Sequence, residues 1–556
     1  MDIVVYQQDQ SGVLDSFREG DFDYLDAVSE VEETQFFRYL GTHKILAKLA
    51  QSYPTPRKKE EVPTWMYLAS NLSMRLHGVH SFHSYPYVVR CGGMLNAFGP
   101  EVGHKTVHPE TQQVTLSCAG FNDKNSYDRQ TPCDQDFMRK LARGTSPEHL
   151  EGWFNQDVVG ILKQHKALDP AGVFIGDASY LFVPDNEHYE GSVKLLFDEH
   201  HHPVDGHTLT PAQRARCQWK RCYKLVSLVH TNRSGDFFLY VALTVISGKA
   251  HECPVLYRLV DGLVEAVGRG VVKRLILDRG FLDGAEIGRC KKDYGIDVLI
   301  PVRKGMDIYQ DALGLIRGRD IRFELYTPAQ PKPSVDPKPM HVPAEILRRE
   351  KKRQEKLARQ KEAESPPPPD QTVVRSEVAG VGDFRSWSSC PVPLSVIINQ
   401  ETFADGHKNI WMLLDTKKVK KGASTRDEYH LRTGIEERHR QLKCFWDLTD
   451  FPSRSLSLIV NQVVFVVLAY SLLQLYLRRT GRGELNRRTL PRIRQQLMPT
   501  HSVIILYYQN RFALLSVFEY TRLLLTLSEK ARRKVLAKTQ RLQRDLIREL
   551  VLVRPP

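Results

Sequence analysis

The order of apolar runs along the 556 residues predicts an α/β chain with a mixed sheet, and three observations carry that prediction. Two short runs, Ala171-Gly-Val-Phe-Ile-Gly-Asp177 and Val271-Val-Lys-Arg-Leu-Ile-Leu-Asp278, have the length and bounds of buried strands, and each ends on an aspartate. Around them, 222–230, 237–245, 275–278 and 298–302 read as strands, while 253–267 and 284–294 have helical spacing. Strands followed by helix, strand, helix, strand is the order of an α/β fold. Further on, Tyr429, Arg432, Glu436 and Lys443 recur at i, i+3, i+7 and i+14. At about 100° per residue they share a sector of roughly 60° on one helix face.

Ahead of the first strand, 1–165 reads as a mostly helical region. Apolar residues recur with helical spacing at 36–50 and 64–77, and the basic Pro56-Arg-Lys-Lys59 between them suits a DNA-end-binding unit as well as a structural helix pair. The first part of the core occupies 166–302. Inside it, Asp198-Glu-His-His-His-Pro-Val-Asp-Gly-His207 reads as a solvated hairpin turn, since no second Cys/His cluster completes a zinc set. The pattern breaks over 303–409, an insertion with a Pro-rich stretch at 328–339, a charged helix-like run at 344–364 and Pro366 to Pro369. That composition cannot build a substantial core of its own, although 373–387 and 391–398 can supply strands. Trp387, its one tryptophan, reads as a packing residue.

The core is completed by 410–478. Lys417, Lys418, Lys420 and Lys421 enter the helix that carries Glu436, where a contact with a nucleic-acid backbone and a solvated turn are both open. The apolar stretch 456–477 is interrupted by Asn461, Gln462 and Gln474 and reads as a buried helix bracing the core, not a membrane span. The remainder, 479–556, is basic, with two amphipathic helices expected over 502–553. The net charge of +14 suits a phosphate-rich partner without deciding for one, and its distribution is uneven, acid-rich over 1–33 and basic over 478–554. Nine cysteines without a CxxC pair, and no cleavable signal pattern, point to a reducing cytoplasm.

A carboxylate flanked on one helix face by two phosphate-seeking cations and a phenol suits a metal held beside a nucleic-acid backbone. One glutamate cannot hold a hard divalent cation, and Asp177 and Asp278 are the candidates to complete the set, although strand-end aspartates also cap the helices that follow them. Two strand-borne aspartates, Asp278-Arg-Gly-Phe281 around the second, and Tyr-x2-Arg-x3-Glu-x6-Lys around the glutamate together resemble the DDE transposases. More narrowly, the pattern resembles the IS-four insertion-sequence family of bacterial cut-and-paste elements, over 174–443 and the helix that follows.

The resemblance implies an RNase H-like catalytic core with an insertion before the last catalytic helix. It implies that Asp177, Asp278 and Glu436 are the catalytic, metal-holding acids, with two Mg²⁺ or Mn²⁺ ions as cofactor. Tyr429 and Arg432 would bind a phosphate at the cut end, and Lys443 one on the complementary strand. The implied partners are the terminal inverted repeats and target DNA, with a homodimer in the synaptic complex, no membrane, and a nucleoid-associated cytoplasmic location. A DNA nuclease that cuts without strand transfer and a catalytically silent DNA-binding derivative stay open as other readings. Between two adjacent acids the helix register chooses Glu436, because Glu437 is turned by about 100° from the stripe and has Arg440 at i+3 to pair with.

Overall fold

A computed structural model describes residues 7–28, 31–59, 62–84, 104–107, 114–117, 135–318, 321–328, 372–419, 421–481, 503–509 and 511–552. The charged run at 344–364, the four prolines at 366–369 and Lys420 lie outside the described residues.

The centre is a ten-stranded mixed sheet. Five of its strands are β1 (Val173–Val183), β2 (Gln218–Thr231), β3 (Leu239–Ser247), β4 (Arg274–Ile276) and β5 (Asp297–Pro301). They stand side by side in the order β3-β2-β1-β4-β5. β2 runs antiparallel to β1 and β3, whereas β4 is parallel to β1 and β5. Helix α1 (Glu252–Val267) links β3 to β4, and α2 (Gly284–Tyr294) links β4 to β5. This order is compatible with an RNase H-like DDE domain. β2 is buried from Arg221 to Thr231, as expected of a strand covered on both faces, and its polar residues there find partners, with Lys224 paired to Glu252 at 2.7 Å and His230 bonded to the Val173 carbonyl.

Within the central sheet, two features depart from the sequence reading. The first strand does not stop at Asp177: Ala178-Ser-Tyr-Leu-Phe-Val183 is rich in strand-forming side chains and goes on pairing with β2 down to Arg221. The strands expected within the insertion form β6 (Val373–Phe384) and β7 (Leu394–Phe403), and with β8 (Lys408–Asp415) they continue the central sheet beyond β5. Their apolar faces therefore join the main core, which is how a segment too polar to fold alone becomes ordered. Trp387 packs half-buried against that same core.

After β8 come α3 (Gly422–His430), α4 (Arg432–Phe445) and the 24-residue α5 (Leu456–Arg479). α5 is long and apolar enough to cross a membrane, yet 83% of its most apolar window is buried inside the protein. It packs on β3 and on the helices Thr64–Leu76, Gln135–Gly144 and Pro147–Trp153. Its polar residues have partners there: Asn461 donates to the Tyr67 hydroxyl at 3.1 Å, and Gln462 donates to the carbonyls of Leu448 and Asp450. The N-terminal helices thus share one core with the central sheet.

The expectation of two helices over 502–553 needs correction. Val503–Tyr508 and Arg511–Ser516 are strands of a hairpin, in keeping with the β-branched and aromatic run Val-Ile-Ile-Leu-Tyr-Tyr, and Gln509 takes the left-handed conformation at the turn. Tyr24–Val28 and Gln7–Gln8 flank the hairpin to make a four-stranded sheet, with the helices Gln10–Arg18, Val517–Thr526 and Glu529–Leu552 packed around a second core of Val13, Phe17, Phe22, Leu506 and Val535. The acid-rich start and the basic end of the chain meet here, with Arg511 paired to Asp9 at 2.7 Å and Lys538 donating to the Phe22 carbonyl.

Candidate active site

β1 and β4 bring two of the sequence-selected acids together. Ile175 and Ile276 are register partners on these parallel strands, and Asp177 and Asp278 each lie two residues beyond that pair. Gly176 allows the close approach: a Cβ there would lie 2.7 Å from a Leu277 methyl and 2.9 Å from Leu256. Asp278 leaves the strand in extended conformation, and its Oδ1 accepts the Arg279 amide at 2.7 Å. The bland role of a capping aspartate is therefore real, but it uses one oxygen only. Oδ2 lies 3.8 Å from Arg432.

α4 packs across β1 and delivers the third acid. The stripe Tyr429, Arg432, Glu436, Lys443 does not lie on one unbroken helix: α3 ends at His430, Leu431 forms a tight turn, and α4 begins at Arg432. Leu431 keeps right-handed helical angles, so the two helices stay nearly in phase. Gly434 sets the depth of α4, since a Cβ there would meet the Phe238 ring at 2.3 Å.

Arg432 is the hub. Its Nη2 pairs with Glu436 Oε1 at 2.5 Å, its Nη1 faces Asp278, and its guanidinium lies 5.9 Å from the centre of the Tyr429 ring. Burial works against the Arg432 charge, but Tyr429, Asp278, Glu436 and Asp177 together raise its pKa. Burial pushes the Tyr429 hydroxyl up to about 12, keeping it a protonated donor, with Arg432 pulling the other way. The acids are graded from floor to rim, their side chains 13% exposed at Asp177, 39% at Asp278 and 51% at Glu436. At the floor, burial pushes Asp177 up to about 7; Arg432 opposes this, and the Asp278 and Glu436 charges add to it.

Glu437 points elsewhere. It accepts from Arg440 at 2.7 and 2.8 Å and from Gln441 at 3.0 Å, and these bonds hold its pKa low. Lys443 reaches back to β1 and donates to Ser179 Oγ at 2.6 Å; burial pulls its pKa down to about 8, with Asp177 opposing. Lys417, Lys418 and Lys421 are exposed at the entrance to α3.

The sequence reading passed over His439, Tyr240 and Ser179. His439 follows Glu436 by three residues on the same helix, a spacing that would have marked it as a neighbour of the stripe. It is buried, its Nε2 lies 3.8 Å from Asp177 Oδ2, and burial drives its pKa down to about 3, so it is a neutral imidazole.

Among the described residues, no group of three or more His, Cys, Asp or Glu side chains is gathered as a ready metal cage, either here or in the His-rich 198–207 turn. In the turn His200 and His202 are largely exposed. At the site Arg432 lies against Asp278 and Glu436 and is influenced by the charge of Asp177, and its single charge cannot balance all three carboxylates. The donor set itself fits a hard divalent cation: carboxylate oxygens only, one of them on a buried acid that lacks a full counter-charge.

The profile described as Transposase DDE domain matches residues 190–472, which is just over half the chain. The span includes Asp278, Tyr429, Arg432, Glu436 and Lys443 and begins after Asp177. No curated protein matches the chain. With two strand-borne acids and a helix-borne acid facing one arginine, inside a sheet of compatible order and under a match of that length, the chain belongs to the transposase DDE domain family.

Proposed function

We propose that this protein is a cut-and-paste DNA transposase of the IS-four type, which cleaves the inverted-repeat ends of its own insertion sequence and joins them to target DNA. The observation that supports the reading is that Asp278 and Glu436, from separate elements, both lie against Arg432, while Asp177 stands on the neighbouring parallel strand two residues beyond the same register pair as Asp278. Asp177, Asp278 and Glu436 would hold Mg²⁺ or Mn²⁺, and a pair of such ions supplies activation of the attacking oxygen and stabilisation of the leaving oxygen at a phosphodiester. The protein's own groups position the DNA. Arg432 presents a planar fork to two oxygens of a phosphate at the cut end, and the protonated Tyr429 hydroxyl donates beside it. Lys443, held against β1 by Ser179, is the cation for a phosphate of the complementary strand. Lys417, Lys418, Lys420 and Lys421 track the backbone leading into the site. Two copies of the chain would bring two ends together, acting in the cytoplasm at the nucleoid.

The test uses the purified full chain, labelled DNA carrying the ends of the element that encodes it, and Mg²⁺. Expected are cleavage at the ends and joining of the 3′-hydroxyls to a target plasmid, with Asp177→Ala and Asp278→Ala binding the ends without cutting them. Cleavage undiminished in excess chelator overturns the metal-dependent reading, and cleavage without any joining leaves a nuclease.

A further inference from the structure

We infer that His439 is a positioning residue for Asp177, an inference that rests on the proposal that Asp177 holds metal. His439 Nδ1 lies 3.2 Å from the Tyr240 hydroxyl, while its Nε2 is buried without a hydrogen-bond partner and lies 3.8 Å from Asp177 Oδ2. The ring has two possible tautomers. If Nδ1 carried the proton, the Nε2 lone pair would point at a carboxylate oxygen inside the protein, a repulsive arrangement. With Tyr240 donating to Nδ1, the proton sits on Nε2 and faces the Asp177 carboxylate, which is attractive. At 3.8 Å the contact is electrostatic and not a hydrogen bond.

The surroundings leave little freedom to this arrangement. The Tyr240 ring packs edge-on against Tyr470 of α5, with ring centres 5.9 Å apart, so α5 holds the tyrosine that fixes the tautomer. On the other side, Lys443 and Ser179 occupy the same face of β1 two residues beyond Asp177. Asp177 thus has a donor facing Oδ2, which restrains rotation of the carboxylate. Outer partners of this kind orient ligating side chains, and their loss typically weakens metal binding about 10–100-fold.

The experiment measures Mn²⁺ binding to the full chain without DNA, by electron paramagnetic resonance, alongside end cleavage and thermal unfolding without metal. His439→Leu is expected to weaken Mn²⁺ binding about tenfold or more. His439→Gln, whose amide nitrogen lies near the Nε2 position, should restore binding to within about threefold, whereas His439→Asn, which mimics Nδ1, should not. Tyr240→Phe keeps the packing and removes only the hydroxyl, and its binding should fall between that of wild type and His439→Leu. Asp177→Asn is the control. Mn²⁺ affinity unchanged in both His439→Leu and Tyr240→Phe, while Asp177→Asn loses it, overturns the inference and leaves the metal role of Asp177 standing. Unchanged affinity in Asp177→Asn overturns both. Should His439→Leu fail to fold, the His439→Gln, His439→Asn and Tyr240→Phe series decides by the same ordering.

Discussion

The most informative structural perturbation is the loss of Asp415, because one buried cluster holds the two halves of the site in register. Arg274, 4% exposed at the start of β4, donates to both Asp415 oxygens at 2.6 and 2.7 Å and stands 2.8 Å from Glu428. Asp415 lies at the end of β8, and its Oδ1 also accepts the Lys417 amide at 2.8 Å. The cluster therefore ties β4, which leads to Asp278, to α3, which ends beside Tyr429. Removing one partner of a buried ion pair costs about 3–5 kcal/mol, since the other charge is left uncompensated. Glu428 remains beside Arg274 in Asp415→Ala, which places the expected loss at about 3 kcal/mol, the lower end. The loss is read as a fall of about 3 kcal/mol in the unfolding free energy from urea titration followed by tryptophan fluorescence. Arg274→Met combined with Asp415→Leu removes both charges and should recover at least half of the loss. A fall of less than about 1 kcal/mol for Asp415→Ala, or a double variant as unstable as the two single losses added together, would refute this reasoning.

Arg432→Lys keeps the charge but loses the fork; the missing charge-assisted bond, about 1.5 kcal/mol, predicts about tenfold slower cleavage or joining in a gel assay, and equal rates for variant and wild type would remove the guanidinium from the account. Burial raises Glu151 to about 7 from an ordinary 4.5, so its neutral form stabilises the fold fully below about pH 4.5, and that contribution is lost as pH rises through 7; on the order of 3 kcal/mol should vanish across this window in wild type but not in Glu151→Gln, and a pH-independent difference in unfolding midpoint between the two would exclude it. Gly434→Ala drives a methyl into Phe238, with an expected loss of about 1–3 kcal/mol and slower cleavage, both partly recovered by adding Phe238→Leu; wild-type behaviour of the single variant would show that α4 has room to move.

The elements most legible in the sequence were those whose period and punctuation agree. The helix Gly284–Tyr294 is bounded by an Asp283 cap and a left-handed Gly295, and its limits could be read directly. The end of β1 could not, because nothing local distinguishes an aspartate that stops a strand from one that interrupts a strand paired on both sides; the pairing of residues 178–183 with β2 decides it. The hairpin at 503–516 was misread for a related reason. Its apolar residues are as compatible with a helix as with a strand, and what selects the strand is an edge supplied by Tyr24–Val28 from the opposite end of the chain. At the site, the spacing of Tyr429, Arg432, Glu436 and Lys443 could be read because helix geometry is nearly fixed. The Leu431 break was hidden, since a single turn residue with helical angles barely alters the phase. His439 and Tyr240 were missed because their relation to Asp177 is made entirely by the packing of α4 on β1 and β3, which no local pattern records.

The central claim is that Glu436 completes an acid set with Asp177 and Asp278, and the adjacent Glu437 supplies its sharpest control. The two acids are consecutive in the chain, but Glu436 faces Arg432 and Glu437 faces Arg440. Glu436→Gln and Glu437→Gln should be compared on the same DNA ends with Mg²⁺, after circular dichroism and end binding have shown both variants to be folded. The account predicts that Glu436→Gln binds the ends but does not cut them, while Glu437→Gln cuts at close to the wild-type rate. Loss of cleavage in Glu437→Gln with cleavage retained in Glu436→Gln would contradict it.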